Sequence, residues 1–283
     1  MKIISSIKEM SRISRGYRAG KKKIGFVPTM GALHGGHLSL IHRGRLENDI
    51  LIVSIFVNPA QFGPGEDFRK YPRDLSKDAG LCRRSGVDII FHPHSRAMYP
   101  DGYKTNVYVA DLSERLCGKS RPGHFKGVAT VVTKLLNIVC PDNAYFGQKD
   151  AQQAVIIRTL ARDLNIPVRV RILPTVRQAG GLALSSRNQY LNSQQRQDAL
   201  VLYGALKEAK RLAFSGITNA DILTARMRKI ILEKKSAKID YIAIVNQDNL
   251  MPLKKVTGQC LIALAVWIGK TRLIDNLVIK SKR

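Results

Sequence analysis

Short apolar runs alternate with amphipathic stretches over the first 173 residues of the chain. The runs are rich in Ile, Val or Phe and are bounded by Gly, Pro, Asn or Asp, which is typical of buried strands. They predict strands over residues 24–28, 50–57, 87–92, 144–146 and 168–173. The amphipathic stretches predict helices over residues 37–47, 74–85, 126–139 and 150–164. Strands that alternate with helices indicate a parallel sheet covered by helices.

The pattern changes after about residue 175. A Gly-rich loop is followed by two basic helical patterns, over residues 193–214 and 219–235, and by strand patterns near residues 239–245, 260–267 and 273–279. This predicts a smaller α+β domain over residues 176–283, after a Rossmann-like parallel-sheet domain over residues 1–175. A chain of 283 residues is long enough for two domains. The fold class is therefore α/β, and the lack of an internal repeat excludes solenoids and propellers.

The composition is that of an ordinary globular protein, with 45% hydrophobic and 24% charged residues. The apolar run over residues 260–268 is about nine residues long, whereas a membrane-spanning helix needs about 20. This run is expected to form a buried strand, and no membrane association is predicted.

The first fifteen residues carry apolar side chains at helical spacing, without the continuous apolar run of a secretory signal. Their Ser and Arg content leaves an organellar transit peptide open, although Glu9 argues against one. Cys82, Cys117, Cys140 and Cys260 lie far apart and form no C-x-x-C pair, so they suggest neither a zinc site nor a disulfide framework. We therefore expect a cytoplasmic protein with reduced thiols.

Charge is the one unusual property, because 47 basic residues against 21 acidic ones give a net charge of +26. Such a field attracts polyanions, and it makes a nucleic-acid-binding protein an alternative to an enzyme. The basic residues are scattered over predicted helices and loops, without interleaved aromatic residues on which bases would stack. This distribution favours a solvated basic surface.

The first predicted strand runs into P-T-M-G-A-L-H-G-G-H at residues 28–37, and a predicted helix follows at once. Glycines let the backbone approach a phosphate, and a helix N-terminus offers free N–H groups. The segment is neither a P-loop nor a dinucleotide fingerprint. The imidazoles of His34 and His37 can donate hydrogen bonds to phosphate oxygens as charge develops. Helix capping, packing or a zinc pair remain alternatives for them, although no further ligand at the right spacing supports zinc.

Further polar segments follow other strands or join the two domains. N-P-A-Q-F-G at residues 58–63 carries Gln61, and F-G-Q-K-D-A-Q-Q at residues 146–153 carries Lys149 and Gln153. V-R-Q-A-G-G-L-A-L-S-S-R-N at residues 176–188 carries Arg187 in a loop that could act as a hinge. S-R-P-G-H-F-K-G-V at residues 120–128 adds basic side chains at a helix entry. Each segment alone is typical of a turn or linker, but strand ends of an open sheet share one crevice.

The ordered set of motifs resembles the pantothenate synthetase (pantoate–β-alanine ligase) family of the H-x-G-H nucleotidyltransferases. The match runs from P-T-M-G-A-L-H-G-G-H through S-I-F-V-N-P-A-Q-F-G, Y-P-R-D-L, S-R-P-G-H-F-K-G-V, F-G-Q-K-D-A-Q-Q and L-S-S-R-N-Q-Y-L to R-L-I-D-N, and covers essentially the whole chain. H-x-G-H alone is shared with cytidylyltransferases and other adenylyltransferases, so another enzyme of that kind is a second alternative. Gln61, Gln153 and the S-S-R-N loop argue against it.

The resemblance implies a ligase of pantothenate biosynthesis, the route to a coenzyme A precursor. The pantoate carboxylate attacks the α-phosphate of ATP and releases pyrophosphate, and the amine of β-alanine then attacks the pantoyl adenylate and releases AMP. Mg²⁺ accompanies the triphosphate, with its protein ligands left unassigned. Family members are typically homodimers, and neither a specific nucleic acid nor a membrane is an expected partner. Residues 1–175 would bind nucleotide and pantoate, and residues 176–283 would act as a lid.

The resemblance also implies the site residues. His34, His37, Lys149 and Arg187 are expected to be catalytic, with His37 as proton donor. Gln61 and Gln153 are expected to hold pantoate, and Gln61 also to contact β-alanine. The expected ATP-binding residues are Met30, Gly31, Ala32, Leu33, His34, Gly35, Gly36, His37, Gly147, Gln148, Lys149, Asp150, Val176, Leu184, Ser185, Ser186 and Arg187.

The chain departs from the family pattern at three positions. Gly35 replaces a frequent acidic residue, Gly180 replaces a common Asp, and Ala151 replaces an aromatic residue. These changes affect local loop charge, hinge stiffness and pocket packing, whereas the implied reaction depends on none of them.

Overall fold

The computed structural model describes residues 1–280; residues 281–283, at the end of the predicted second domain, lie outside the described part. A six-stranded parallel sheet has the strand order β1-β4-β3-β2-β5-β6. Its strands are β1 (Lys2–Ile4), β2 (Ile24–Thr29), β3 (Ile50–Ile55), β4 (Ile89–Phe91), β5 (Asn143–Gly147) and β6 (Arg169–Leu173). The helices around it are α1 (Ile7–Ala19), α2 (Gly35–Glu47), α3 (Leu75–Arg84), α4 (Ser95–Met98), α5 (Cys117–Ser120), α6 (His124–Val139) and α7 (Ala151–Asp163).

A second sheet is antiparallel and has the order β7-β8-β9. Its strands are β7 (Ala237–Asn246), β8 (Gln259–Ile268) and β9 (Thr271–Lys280), preceded by α8 (Ser193–Asp198), α9 (Leu200–Phe214) and α10 (Ala220–Leu232). Short 3-10 helices lie at Pro59–Gln61, Leu112–Glu114, Gln148–Asp150 and Ser186–Tyr190. The α/β fold class is therefore confirmed, while the domain boundary at residue 175 stays a prediction.

The strand order reverses between β2 and β5. From β2 the chain moves outward through β3 to β4, and it then returns to β5 on the other side of β2 and continues to β6. In open α/β sheets, ligands bind beyond the carboxyl ends of the strands at such a reversal. The segments after β2, β3 and β5 are the polar segments that the sequence placed at strand ends.

Alternation along the central strands fills two cores, one on each face of the parallel sheet. Phe26 and Ile52 pack with residues of α1, α6 and α7, whereas their neighbours Val27 and Val53 pack with residues of α2 and α3. Successive strand side chains point to opposite faces, so a strand covered on both sides has to be apolar throughout. Full burial of each such side chain stabilises the fold by about 1.5–3 kcal/mol.

The antiparallel sheet is also covered on both faces. Ile262 and Leu264 of β8 pack with residues of α9 and α10, and the alternating Leu261 and Ala263 pack into the core formed with α6 and α7. The second sheet therefore lies directly against the first core. It brings β7 and β9 to the cleft described below.

Two expectations differ from the structure. The helical spacing of the N-terminus includes Ile3 and Ile4, but residues 2–4 form β1, which pairs with β4, and α1 begins only at Ile7. The single helix expected over residues 193–214 is two helices, α8 and α9, separated at Ala199.

Two other expectations concern membranes and thiols. No helix within residues 1–280 is long and apolar enough to cross a membrane, and the apolar run over residues 260–268 lies in strand β8. All four cysteines are free in the structure.

Candidate active site

A cleft of about 710 Å³ lies at the carboxyl ends of β2, β3 and β5 and reaches across to β7 and β9. It gathers side chains from all of the polar segments singled out in the sequence. The expected site residues that line it are Met30, His34, Gly36, His37, Gln61, Gly147, Lys149, Asp150, Gln153, Val176, Leu184, Ser185, Ser186 and Arg187. Residues from distant stretches of chain therefore share one cleft, and their individual roles stay predictions.

The other expected site residues lie outside the lining of this cleft. Gly31 lines a separate cavity of about 390 Å³, and the backbone N–H groups of Ala32 and Leu33 donate to the carboxylate of Asp78. The Gln148 side chain donates to Asn276, 3.0 Å away. These residues, together with exposed Gly35, surround the cleft-lining positions rather than forming its wall.

The two histidines cap helix α2 as well as lining the cleft. His34 Nδ1 accepts a hydrogen bond from the Gly36 N–H at 3.1 Å, and His37 Nδ1 accepts one from the His34 N–H at 3.3 Å. Because both Nδ1 atoms are acceptors, each neutral ring carries its hydrogen on Nε2. A Cβ on Gly36 would lie 2.9 Å from His34 Cε1, so glycine allows the His34 ring to fold over the backbone.

Burial keeps both imidazoles neutral at pH 7. Desolvation, with the positive charge of Lys149, lowers the pKa of His34 to about 4. Desolvation, with the neighbouring His34, lowers the pKa of His37 to about 3. Without a bound anion, the pair therefore presents two Nε2–H donors rather than two cations.

Two of the cationic groups of the cleft, Lys149 and Arg187, lie in short 3-10 helices. Lys149 in Gln148–Asp150 has its Nζ 3.6 Å from an Asp150 carboxylate oxygen, and its backbone carbonyl accepts from the Asn276 side chain of β9. Arg187 lies in Ser186–Tyr190, where the Ser185 hydroxyl caps the first turn by accepting from the Arg187 N–H. A point charge and a planar guanidinium suited to phosphate therefore line the same cleft.

Residues 62–73, which we call the flap, form part of the cleft wall and place two acidic side chains against arginines of the cleft. Glu66 accepts from Arg121 at 2.7 and 2.6 Å, and Asp67 accepts from Arg187 at 3.0 and 2.8 Å. The Tyr71 hydroxyl lies 3.3 Å from that of Ser186. The sequence alone assigns no role to this segment, although the Y-P-R-D-L motif overlaps its end.

Gln61 is held by a network that the sequence did not reveal. Its side-chain oxygen accepts from Asn58, and its backbone oxygen lies 2.7 Å from His124 Nδ1. A carbonyl can only accept, so His124 Nδ1 carries the hydrogen, and Nε2 is left to accept from Arg121 at 2.9 Å. Burial and the Arg121 charge lower the pKa of His124 to about 4, in agreement with this neutral tautomer.

No group of three or more His, Cys, Asp or Glu side chains within the described residues 1–280 is placed to hold a metal ion. This finding gives no support to a zinc site at His34 and His37. Among the acidic residues that line the cleft, Asp67 and Asp150 carry carboxylates of the type that Mg²⁺ takes as oxygen ligands alongside phosphate oxygens.

A parallel sheet whose carboxyl edge carries an H-G-G-H loop, with a lysine and an arginine in the same cleft, defines an α/β protein with a cationic ligand-binding cleft at its topological switch point. The family model of pantoate-beta-alanine ligase matches residues 2–278, and the chain belongs to that family.

Individual relatives agree over the full length. The pantothenate synthetases of Caldicellulosiruptor saccharolyticus and Heliobacterium modesticaldum are 53% and 55% identical, each covering 99% of this chain and 100% of the relative. The crystal structure of pantothenate synthetase from Thermus thermophilus superimposes with a TM-score of 0.92 at 43% identity, covering 98% of this chain and 99% of that one. A pantoate-beta-alanine ligase from Francisella tularensis, complexed with beta-gamma ATP and beta-alanine, gives 0.82 at 40% identity, covering 98% and 97%.

Proposed function

We propose that the protein condenses pantoate with β-alanine to give pantothenate, through a pantoyl adenylate formed from ATP. The observation that carries this proposal is the meeting of His34, His37, Lys149 and Arg187 with Gln61 and Gln153 in one cleft of a chain of this family. The ligase of Francisella tularensis, whose structure is a complex with beta-gamma ATP and beta-alanine, supports the choice of nucleotide and amine.

The first step needs charge stabilisation more than a protein nucleophile. A carboxylate oxygen of pantoate attacks the α-phosphorus of ATP, the bond to the bridging oxygen of the β-phosphate breaks, and pyrophosphate leaves. Lys149 and Arg187 offset the phosphate charge, and the Nε2–H groups of His34 and His37 donate to phosphate oxygens. Bringing two bound reactants into line supplies much of the remaining rate.

The second step transfers the acyl group. The neutral amine of β-alanine attacks the acyl carbon, and the bond from that carbon to the AMP oxygen breaks. AMP leaves with the former carboxylate oxygen, and the nitrogen releases one proton to solvent as the amide forms. Gln61 and Gln153 orient pantoate by hydrogen bonds that add no charge. Closure by the flap keeps water from the acyl adenylate, which hydrolysis would waste.

His37 acts first as a neutral donor. With a pKa of about 3 before nucleotide binds, its imidazolium form is scarcely populated at pH 7. An adjacent triphosphate favours the charged form and raises the pKa of the imidazole. The proton-donor role implied by the family resemblance therefore depends on bound nucleotide.

Mg²⁺ belongs to this proposal as the partner of the triphosphate. Bound there, it would neutralise phosphate charge, and the carboxylates of Asp67 and Asp150 in the cleft would be its protein ligands. Mg²⁺ usually takes only one or two carboxylates and leaves the remaining positions to water and phosphate. Asp67 and Asp150, which lie beside Arg187 and Lys149 respectively, fit that requirement.

We further infer a cytoplasmic homodimer with a boundary near residue 175. The free thiols of all four cysteines support a reducing compartment. The two sheets support a division into residues 1–175 and 176–283, the second serving as a lid. Light scattering should give twice the mass of one chain, and a single-chain mass would contradict the dimer.

The test of the reaction is a product assay with omissions. Protein, ATP, Mg²⁺ and pantoate are mixed with and without β-alanine, and pyrophosphate and AMP are followed. Only the complete mixture should turn over repeatedly, and omission of β-alanine should leave about one pyrophosphate released per site because the adenylate stays bound. Sustained turnover without β-alanine, or turnover with CTP in place of ATP, would contradict the proposal.

A further inference from the structure

The turn after β2 has an unusual backbone conformation. Gly31 has a φ of +82°, and Ala32, which carries a side chain, has a φ of +50°. Positive φ is uncommon for residues other than glycine, and it persists only where the surroundings enforce it. Thr29 holds the start of the turn, because its hydroxyl accepts from the Gly31 N–H at 3.1 Å and donates to the Ser54 carbonyl at 2.7 Å.

The carboxylate of Asp78 holds the second half of the turn. One oxygen accepts from the Ala32 N–H at 2.9 Å and the other accepts from the Leu33 N–H at 2.8 Å. Asp78 lies on α3, which follows the flap, and it is only 2% exposed. Carboxylates are rarely buried unless they are paired, so these two bonds are what stabilises this one. Burial also raises the pKa of Asp78, although the two N–H donors oppose the rise.

Helix capping does not account for Asp78. The N-terminus of α3 is already capped by Asp74, whose side chain accepts from the Lys77 N–H at 2.9 Å. The Asp78 carboxylate instead accepts hydrogen bonds from Ala32 and Leu33. These two residues follow Gly31 in the turn that connects Met30 to His34. Both Met30 and His34 line the cleft.

Gly31 and Asp78 are fitted to each other. A Cβ on Gly31 would lie 2.8 Å from the Asp78 Oδ2 atom and 3.1 Å from the Ile55 side chain. Any side chain at position 31 would therefore push the carboxylate away from the Ala32 N–H. The contact between the turn and Asp78 therefore requires glycine at position 31 and a side chain with two acceptor oxygens at position 78.

We propose that Asp78 is a positioning residue for ATP, whose carboxylate fixes the turn so that Met30 and His34 face the nucleotide. Asp78 lines the smaller cavity behind the turn rather than the cleft, so it acts through the backbone and not on the substrate. The inference rests on the proposed function. Asparagine cannot replace Asp78, because its amide offers one acceptor oxygen and turns a second donor toward an N–H.

The test compares two variants at the start of α3 by equilibrium binding of β,γ-methylene ATP to the full chain. Asp78→Asn should raise the Kd about tenfold, the loss expected for one unmade hydrogen bond in the turn. Asp74→Ala removes the cap of the same helix without touching the turn, and it should lower the Tm while leaving the Kd within about twofold of wild type. Loss of affinity in proportion to Tm in both variants would overturn the proposal, as would a wild-type Kd for Asp78→Asn.

Two further variants cover failure of Asp78→Asn to fold. Asp78→Glu keeps the charge and both acceptor oxygens but moves them by one methylene. Gly31→Ala adds a Cβ that would displace the Asp78 carboxylate from the turn. Both should weaken binding of the analogue, and unchanged binding in both would overturn the proposal. Failure of the wild-type protein itself to bind the analogue would instead reject the proposed function.

Discussion

The Arg187 guanidinium donates two hydrogen bonds to the Asp67 carboxylate, 3.0 Å from Nε and 2.8 Å from Nη2. Asp67 belongs to the flap, and Arg187 belongs to the loop proposed to bind the triphosphate. The cation is therefore already paired before nucleotide arrives, and ATP has to replace one anion with another. Both side chains are partly exposed, so the pair is worth no more than about 1 kcal/mol.

Asp67→Asn should strengthen nucleotide binding. Removal of the carboxylate releases Arg187 from its partner, and we expect the Kd of β,γ-methylene ATP, measured by calorimetry without Mg²⁺, to fall about two- to fivefold. Glu208→Gln is the matched control, because Glu208 also pairs with arginines, Arg211 and Arg226, but on α9 and α10. Weaker binding by Asp67→Asn would show that the carboxylate assists the nucleotide instead of competing with it.

His37→Ala should lower kcat for pantoate-dependent AMP formation by about 10²- to 10³-fold, because one pre-positioned donor to the phosphate is lost. His42 lies on the same helix with its side chain exposed, so His42→Ala is the control and should keep wild-type kcat. Circular dichroism should show both variants folded. Equal kcat values for the two variants would reject the role of His37.

Substitution of the neighbouring residues Gln152 and Gln153 should have different effects, one on stability and the other on pantoate binding. Both residues border the cleft, but the side chain of Gln152 is buried and bonds to the Cys117 N–H and to the carbonyls of Leu112 and Arg115, whereas Gln153 is half-buried. Gln153→Ala should raise KM for pantoate about tenfold with little change in Tm. Gln152→Ala should lower Tm and leave that KM nearly unchanged. The reverse pattern would mean that Gln152, and not Gln153, binds pantoate.

Stability should fall on mild acidification because half-buried histidines have lowered pKa values in the folded protein. Their pKa in the unfolded chain is 6.5, against about 3 for His37 and about 4 for His124 in the folded protein. Between those values the unfolded chain binds more protons, so the free energy of unfolding decreases as pH falls through 6.5. From pH 6.5 to 5.0 the loss should be about 1.5 kcal/mol for each such residue.

Urea unfolding at pH 6.5 and 5.0 measures this loss. The interval lies above the ordinary pKa of carboxyl groups, so the histidines dominate it. His37→Asn should remove one residue's share of the pH dependence. Stability that is constant over the interval, or that increases on acidification, would mean that the histidines are not held neutral in the folded protein.

The central strands of the parallel sheet could be predicted because they are buried on both faces and therefore largely apolar. The predicted strand over residues 24–28 corresponds to Ile24–Thr29, and the predicted helix over residues 150–164 corresponds to Ala151–Asp163. The three-residue β1 was missed, because its isoleucines continue the spacing of the helix that follows. The break at Ala199 was missed because the apolar pattern runs through it.

That the polar segments lie in one cleft could also be predicted, since segments that follow parallel strands meet at one edge of the sheet. The contacts of Asp78 and Asp67 could not. They join residues 46 and 120 positions apart, and only the packing of α3 and the flap brings them together. An acidic residue in the first turn of a helix is favoured by the helix dipole anywhere, so position 78 carries no distinguishing pattern.

The most direct test of the pantoyl adenylate intermediate is to measure whether an oxygen atom passes from pantoate to AMP. Pantoate labelled with ¹⁸O in its carboxylate is converted with ATP, Mg²⁺ and β-alanine, and the products are separated for mass spectrometry. The account predicts one labelled oxygen in AMP and none in pyrophosphate, because the carboxylate attacks the α-phosphorus and its oxygen leaves with AMP. Label found in inorganic phosphate beside ADP, or retained entirely in pantothenate, would contradict it.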